Sequence, residues 1–261
     1  MSTSTEEESR IALLKSVLNS TALNNLLATD PHVEQELEQF SDNMSLDMLF
    51  WPTKDGKPGC SEKQLEVAEA FRKGKRFVAA GGANRSGKTR CIGGMCFCRQ
   101  LVNKAKPGDI YWVIAQDAKT MRAVPQRLMA ELLPRTCIPK NRTYTEARGF
   151  GDRDAMGVQL PSGGKCSVYF KTEEMGINKF ESEQCTGIWW TEATREMVFD
   201  AVQPRLLDVG GFLIIDYLPT LAWQKYRIAK NEDFMFRRFC TLDNAHNLPT
   251  GAIDELSLIH I

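Results

Sequence analysis

The chain has 261 residues, 43% hydrophobic and 25% charged, with 33 basic and 33 acidic side chains in balance. That length accommodates one α/β core with a small appendage, and the absence of internal repeats or low-complexity tracts excludes a fibrous or disordered chain. No apolar run approaches the ~20 residues of a bilayer span, and the N-terminus "MSTSTEEESR" lacks the basic and apolar regions of a secretory signal. No membrane association is expected, and the eight cysteines are expected as free thiols in a reducing cytosol.

The charges are unevenly spread. Residues 1–50 hold nine acidic against two basic side chains, net −7, and the remainder 24 against 31, net +7. A basic body behind an acidic leader suits phosphate-rich partners, although solvated surface charge is the commoner explanation. The same holds for the basic runs Arg72, Lys73, Lys75, Arg76 and Lys140, Arg142, Arg148.

In chain order, residues 9–28 carry Leu and Ile at helical spacing and predict one or two amphipathic helices. The Pro/Gly/Lys-rich "FWPTKDGKPGC" predicts a loop. "SEKQLEVAEAFRKGK" predicts a helix opened by a capping box of Ser61 and Gln64. An α/β alternation follows: strand "RFVAAG", helix 88–104, strand "DIYWVIAQ", and a helix interrupted at Pro125. A hairpin turning at Ser162 to Gly164 comes next, then strand "GIWWT", a helix from about Thr194 to Leu207, strand "GFLIIDY", a helix near "AWQKYRIAK" and a last strand near "RRFCTL". Such alternation predicts a mainly parallel sheet covered on both faces. Cys91, Cys96 and Cys98 do not share one helical face, so they read as buried thiols rather than metal ligands.

Between the first strand and its helix stands "GGANRSGKT". From Gly82 to Thr89 (Gly82, Ala83, Asn84, Arg85, Ser86, Gly87, Lys88, Thr89) it fits G-x-x-x-x-G-K-[ST] completely. Backbone N–H groups of such a loop cradle phosphates at a helix N-terminus, the lysine bridges the β and γ phosphates, and the threonine hydroxyl faces Mg2+. Gln64 has two open readings: an amide that reads an adenine edge, or simply the partner of Ser61 in the cap. "GIWWTE" supplies the second strand such a site needs. Glu192 is placed to orient an attacking water, and the residue before it, where a nucleotide hydrolase carries aspartate, is Thr191. Arg205 and the segment Asp216 to Thr220 lie at element ends where groups can approach a γ-phosphate, or else serve as caps and turns.

Taken together, "SEKQLEVAEAF", "GGANRSGKT", "GIWWTEA", "PRLLDVGGFLIIDYLPTLAWQKY" and "TLDNAHNLP" resemble, in order and spacing, the ATPase domain of the large terminase subunit of tailed bacteriophages, over residues 60–250. The resemblance implies an α/β fold: a RecA-like (ASCE-type) P-loop NTPase with a mainly parallel sheet, plus an N-terminal helical segment. Its implied layout is an acidic helical segment at 1–50, a linker at 51–60, the ATPase domain at 61–250 and a truncated or non-native tail at 251–261, with the C-terminal nuclease domain of such subunits absent. It further implies ATP and Mg2+ as cofactors, Gln64 at the adenine, Lys88 and Thr89 at phosphate and metal, Glu192 as the catalytic carboxylate, Arg85 toward the γ-phosphate or a neighbouring subunit, and Asp216 to Thr220 as the segment coupling hydrolysis to DNA movement. The implied partners are double-stranded viral DNA, the portal protein, the small terminase subunit and further copies in a ring on the procapsid, in the host cytoplasm. The leader reads first as packing on the ATPase core, with docking to the small subunit or portal as the alternative. Thr191 departs from the family. Its hydroxyl can hold a metal-bound water but is a weaker partner than a carboxylate, and Asp216 is an acid available to compensate. Two rival readings remain open, a nucleotide-binding module with little turnover and a helicase-like ATPase.

Overall fold

A computed structural model describes residues 59–151, 154–181 and 183–248, all within one compact unit, Ser45–Ile261. The expected leader, nearly all of the linker and the tail lie outside the described residues.

Helix α1 (Glu62–Arg72) starts where Ser61 and Gln64 form a reciprocal cap: the Ser61 Oγ accepts from the Gln64 N–H and the Gln64 Oε1 accepts from the Ser61 N–H at 2.8 Å. Strand β1 (Phe77–Gly82) runs into the "GGANRSGKT" loop. Helix α2 leaves that loop in widened turns over Arg90–Cys98 and tightens to α turns over Arg99–Asn103. After β2 (Ile110–Ala115), α3 covers Ala118–Met121, Arg122–Gln126 and Arg127–Leu132. The expected interruption at Pro125 does not occur; the middle stretch widens instead, which accommodates a ring without an N–H.

Strands β3 (Ala155–Gln159) and β4 (Lys165–Thr172) form the expected hairpin. Its turn needs glycine, because Gly163 and Gly164 have φ of 90° and 76°. Strand β5 (Gly187–Thr191), helix α4 (Glu196–Leu207), strand β6 (Phe212–Tyr217), helix α5 (Ala222–Gln224 continued by Lys225–Ala229) and strand β7 (Phe234–Phe239) complete the unit. The last strand therefore begins ahead of the expected "RRFCTL", anchored by buried Phe234 and Phe239, and Thr241–Asn247 turns into a 3-10 helix.

The strand order is β3-β4-β2-β5-β6-β1-β7, parallel throughout except for β3 at one edge. Central β5 is buried at every position. Trp189 joins Val113 and Ile214 in a core with residues of α1, α2 and α3, whereas Ile188 and Trp190 point to the other face and meet Phe199, Val202 and Ile228 from α4 and α5. Alternating side chains that are apolar on both sides are the pattern of a sheet covered on both faces. The cysteines of α2 contribute to the first core; Cys91, Cys96 and Cys98 are all buried and free. Two arginines of the basic runs are structural: Arg76 donates to the carbonyls of Gly211 and Leu206, and Arg142 to those of Phe150 and Ala155. Among the described residues no helix is long and apolar enough to cross a membrane.

Gly82 ends β1 paired with Phe239, and a Cβ on it would lie 2.0 Å from the Phe239 carbonyl oxygen. That oxygen accepts from the Ala83 N–H at 3.2 Å, so it cannot move without opening the start of the loop. Gly82→Ala is expected to destabilise the fold by about 2 kcal/mol or more, lowering Tm by roughly 4–8 °C; an unchanged melting curve would contradict the β1–β7 register.

Candidate functional site

Parallel strands present their C-terminal ends on one edge of the sheet, and the chain places its polar groups there. The loop after β1 is held from outside through its carbonyls. Asn84 O accepts from Thr241 Oγ1 at 3.2 Å, Arg85 O from Asn244 Nδ2 at 2.9 Å, and Gly87 O from Gln64 Nε2 at 3.0 Å. A trans peptide points its C=O and N–H in opposite directions, and the described chain has no cis bond. The N–H groups of Arg85, Ser86 and Lys88 therefore point away from these partners, as an anion-cradling loop requires. Ser86 closes the loop by donating to Ala83 O at 2.7 Å. Arg85 itself has φ 59° and an exposed side chain. The loop lines an open cleft of about 370 Å³, shared with Asn244 and Leu248.

Beneath the loop, the start of α2 and the ends of β5 and β6 converge. Lys88, only 5% exposed, lies 3.8 Å from the Glu192 carboxylate. Asp216, wholly buried at the end of β6, accepts three hydrogen bonds: Thr89 Oγ1 donates to its Oδ2 at 2.6 Å, Thr191 Oγ1 to the same oxygen at 3.0 Å, and the Trp189 indole to its Oδ1 at 2.9 Å. This is a consequence of register, since Thr191 and Asp216 are directly paired across β5 and β6. Burial pushes the Asp216 carboxyl above the ordinary aspartate value, opposed first by the Thr89 and Trp189 hydrogen bonds. Burial likewise raises Glu192, with Lys88 opposing.

Glu192 takes a left-handed backbone, φ 53°, and its N–H donates to Asp216 O at 2.7 Å. The turn that follows is clamped by residues the sequence did not single out. Buried Glu173, just past β4, accepts from the Trp190 indole and the Thr194 N–H, both at 2.8 Å, and from the Thr194 hydroxyl. Buried Gln224 donates to Ala193 O at 2.6 Å while its Oε1 accepts from the N–H groups of Thr220 and Leu221. No motif marks either residue; the only hint is a buried polar side chain beside the strand ends.

The structure thus brings Lys88, Thr89, Thr191, Glu192 and Asp216 into one cluster. Gln64 is buried and serves the helix cap and the loop together. Thr220 is exposed in the loop after β6 and reaches the cluster only through Gln224. Arg205 stands apart: it bonds to Glu181 O, and its own carbonyl accepts from Cys185 N–H, at the end of β5 away from Glu192. Among the described residues no three His, Cys, Asp or Glu side chains gather into a metal cluster. The oxygen donors that do meet, two hydroxyls and a carboxylate, are hard ligands of the kind Mg2+ takes together with phosphate oxygens.

A phosphate-loop strand separated from the strand bearing the acid by one intervening strand, here β1-β6-β5, defines a RecA-like P-loop sheet. Solved structures of phage large terminases are among those it resembles. That of a thermophilic bacteriophage superposes with a TM-score of 0.63 at 15% identity, covering 76% of this chain and 50% of its own. The same protein with ATP-γ-S gives 0.58 at 16% identity, covering 76% and 49%. The ATPase domain of a Thermus phage large terminase gives 0.50 at 15% identity, covering 67% and 78%. The chain spans about half the length of the full terminases it matches. No protein-family model matches the sequence, and neither does any curated protein. The mainly parallel sheet with helices on both faces expected from the sequence is the one found.

Proposed function

We propose that this chain is the ATP-hydrolysing motor domain of a phage large terminase, driving double-stranded DNA into a procapsid. The observation that carries the reading is the approach of Glu192 to Lys88 beneath a loop whose Asn84, Arg85 and Gly87 carbonyls are turned outward. The ADP and ATP-γ-S complexes of a structurally similar terminase support nucleotide binding in this fold. In this reading the loop N–H groups and Lys88 hold the β and γ phosphates of ATP, Gln64 lies toward the adenine, and Glu192 accepts a proton from the attacking water. Thr89 and Asp216 are the groups that would hold Mg2+, with Thr191 beside them able to act through water, and the ion when bound would supply charge neutralisation at the phosphates. Arg85, exposed on the outer loop, is placed for a γ-phosphate or a neighbouring copy, and Gln224 ties the Glu192 turn to the segment ending at Thr220, a mechanical route from hydrolysis to DNA. The partners follow from the family: viral DNA, portal, small terminase subunit and a ring of copies, in the cytoplasm of an infected bacterium.

The test is Mg2+-dependent phosphate release from ATP, with and without double-stranded DNA and portal, for the chain and for Lys88→Ala. Release that is abolished in the variant supports the motor; no release under any condition, with ATP still bound, leaves a binding module. That second reading is favoured by one observation, the neutral Thr191 where hydrolases carry an acid.

A further inference from the structure

We propose that Asp216 is the acid of the metal site, so that the function of a carboxylate at position 191 has moved one strand sideways, from β5 to β6. The proposal rests on the nucleotide-binding reading above. Its basis is local. Asp216 is wholly buried, and among the described residues no Lys, Arg or His lies within ion-pair distance of it, the nearby charge of Lys88 acting on it from beyond that distance. A buried carboxylate in such a place calls for a cation. The oxygen it presents, Oδ2, is 2.6 Å from the hydroxyl of Thr89, the residue that faces Mg2+ in phosphate loops of this pattern. Its other oxygen is occupied by the Trp189 indole, which fixes the direction of Oδ2. Thr191 donates to Oδ2 from the paired position on β5. That register means an acid at the end of either strand reaches the same spot, and also that two acids there would face each other. Thr191 is then the neutral partner that lets Asp216 be charged, a positioning residue rather than the holder of the ion.

The experiment measures ADP affinity of the full chain by calorimetry, with Mg2+ and with EDTA, together with the electron paramagnetic resonance of Mn2+ added with ADP. Asp216→Asn is expected to keep EDTA-level affinity and to lose tenfold or more of the Mg2+ enhancement and the bound-Mn2+ signal. Thr191→Asp alone is expected to gain nothing and to lower the Tm of the metal-free protein through carboxylate repulsion. The exchange Thr191→Asp with Asp216→Asn is expected to regain the enhancement. Thr191→Val, which removes the hydroxyl at nearly constant volume, is expected to retain at least a third of it. An Asp216→Asn protein that folds and keeps its Mg2+ enhancement overturns the proposal, as does a tenfold loss in Thr191→Val, which decides the matter even if Asp216→Asn does not fold. If the unaltered chain binds ADP neither with nor without Mg2+, the nucleotide-binding reading falls and this proposal with it; binding without any Mg2+ effect overturns only the proposal.

Discussion

Glu192→Gln is expected to lower ATP turnover by about 10²–10⁴-fold while ATP affinity changes by no more than a few-fold. The amide matches the carboxylate in shape, and the Glu192 N–H bond to Asp216 O that holds the turn is a backbone bond, untouched by the change. On the proposed role of Glu192, what is lost is the acceptor for a proton from water, together with the charge 3.8 Å from Lys88. Burial raises the Glu192 carboxyl above the ordinary glutamate value, with the charge of Lys88 opposing. Single-turnover phosphate release at saturating ATP, beside equilibrium binding of a fluorescent nucleotide, separates the two quantities. A fall of less than tenfold would remove Glu192 from the catalytic step.

The largest effect on stability is expected at Trp189. Its ring is wholly buried, lies 5.4 Å from the ring of Phe97, and comes so near α2 that a Cβ on Gly93 would be 2.4 Å from it. Truncation leaves a cavity the size of an indole in the centre of the sheet, beneath a helix that has already approached as closely as glycine allows. Trp189→Ala is therefore expected to destabilise the fold by about 3–5 kcal/mol, visible as a reduced urea midpoint and a Tm lower by roughly 10 °C. Trp189→Phe keeps most of the packing but removes a donor from buried Asp216, so a smaller loss of about 1–3 kcal/mol is expected. Equal losses for the two variants would mean that the hydrogen bond, not the packing, dominates; a loss below 1 kcal/mol for the alanine variant would contradict the core described above.

Much of this was legible in the sequence because it is local. "GGANRSGKT" carries its own geometry, "GIWW" is apolar at every position because both faces of β5 are covered, and the hairpin glycines mark their own turn. Interactions between distant segments were not legible. Glu173 and Gln224 serve a turn 21 and 31 residues away, and nothing in their immediate neighbours distinguishes them from surface polar residues. Gln64 was ambiguous for a related reason: its cap with Ser61 is local and its bond to Gly87 is not. The pairing of Thr191 with Asp216 required the strand order, which alternation of helices and strands leaves undetermined. The last strand was misplaced because the exposed arginines of β7 blur an edge strand whose ends alone are anchored in the core.

Two residues in left-handed backbone, Arg85 in the phosphate loop and Glu192 after β5, set the molecule against its own folding optimum. Each conformation costs a non-glycine residue about 1 kcal/mol, and glycine at either place would relieve it. A screen for thermal tolerance alone would therefore favour glycine at position 192, selecting a sturdier protein without its carboxylate. If Glu192 is the catalytic carboxylate proposed above, heat resistance and turnover are opposed at that residue, and consensus-style stabilisation of this chain has to leave it alone.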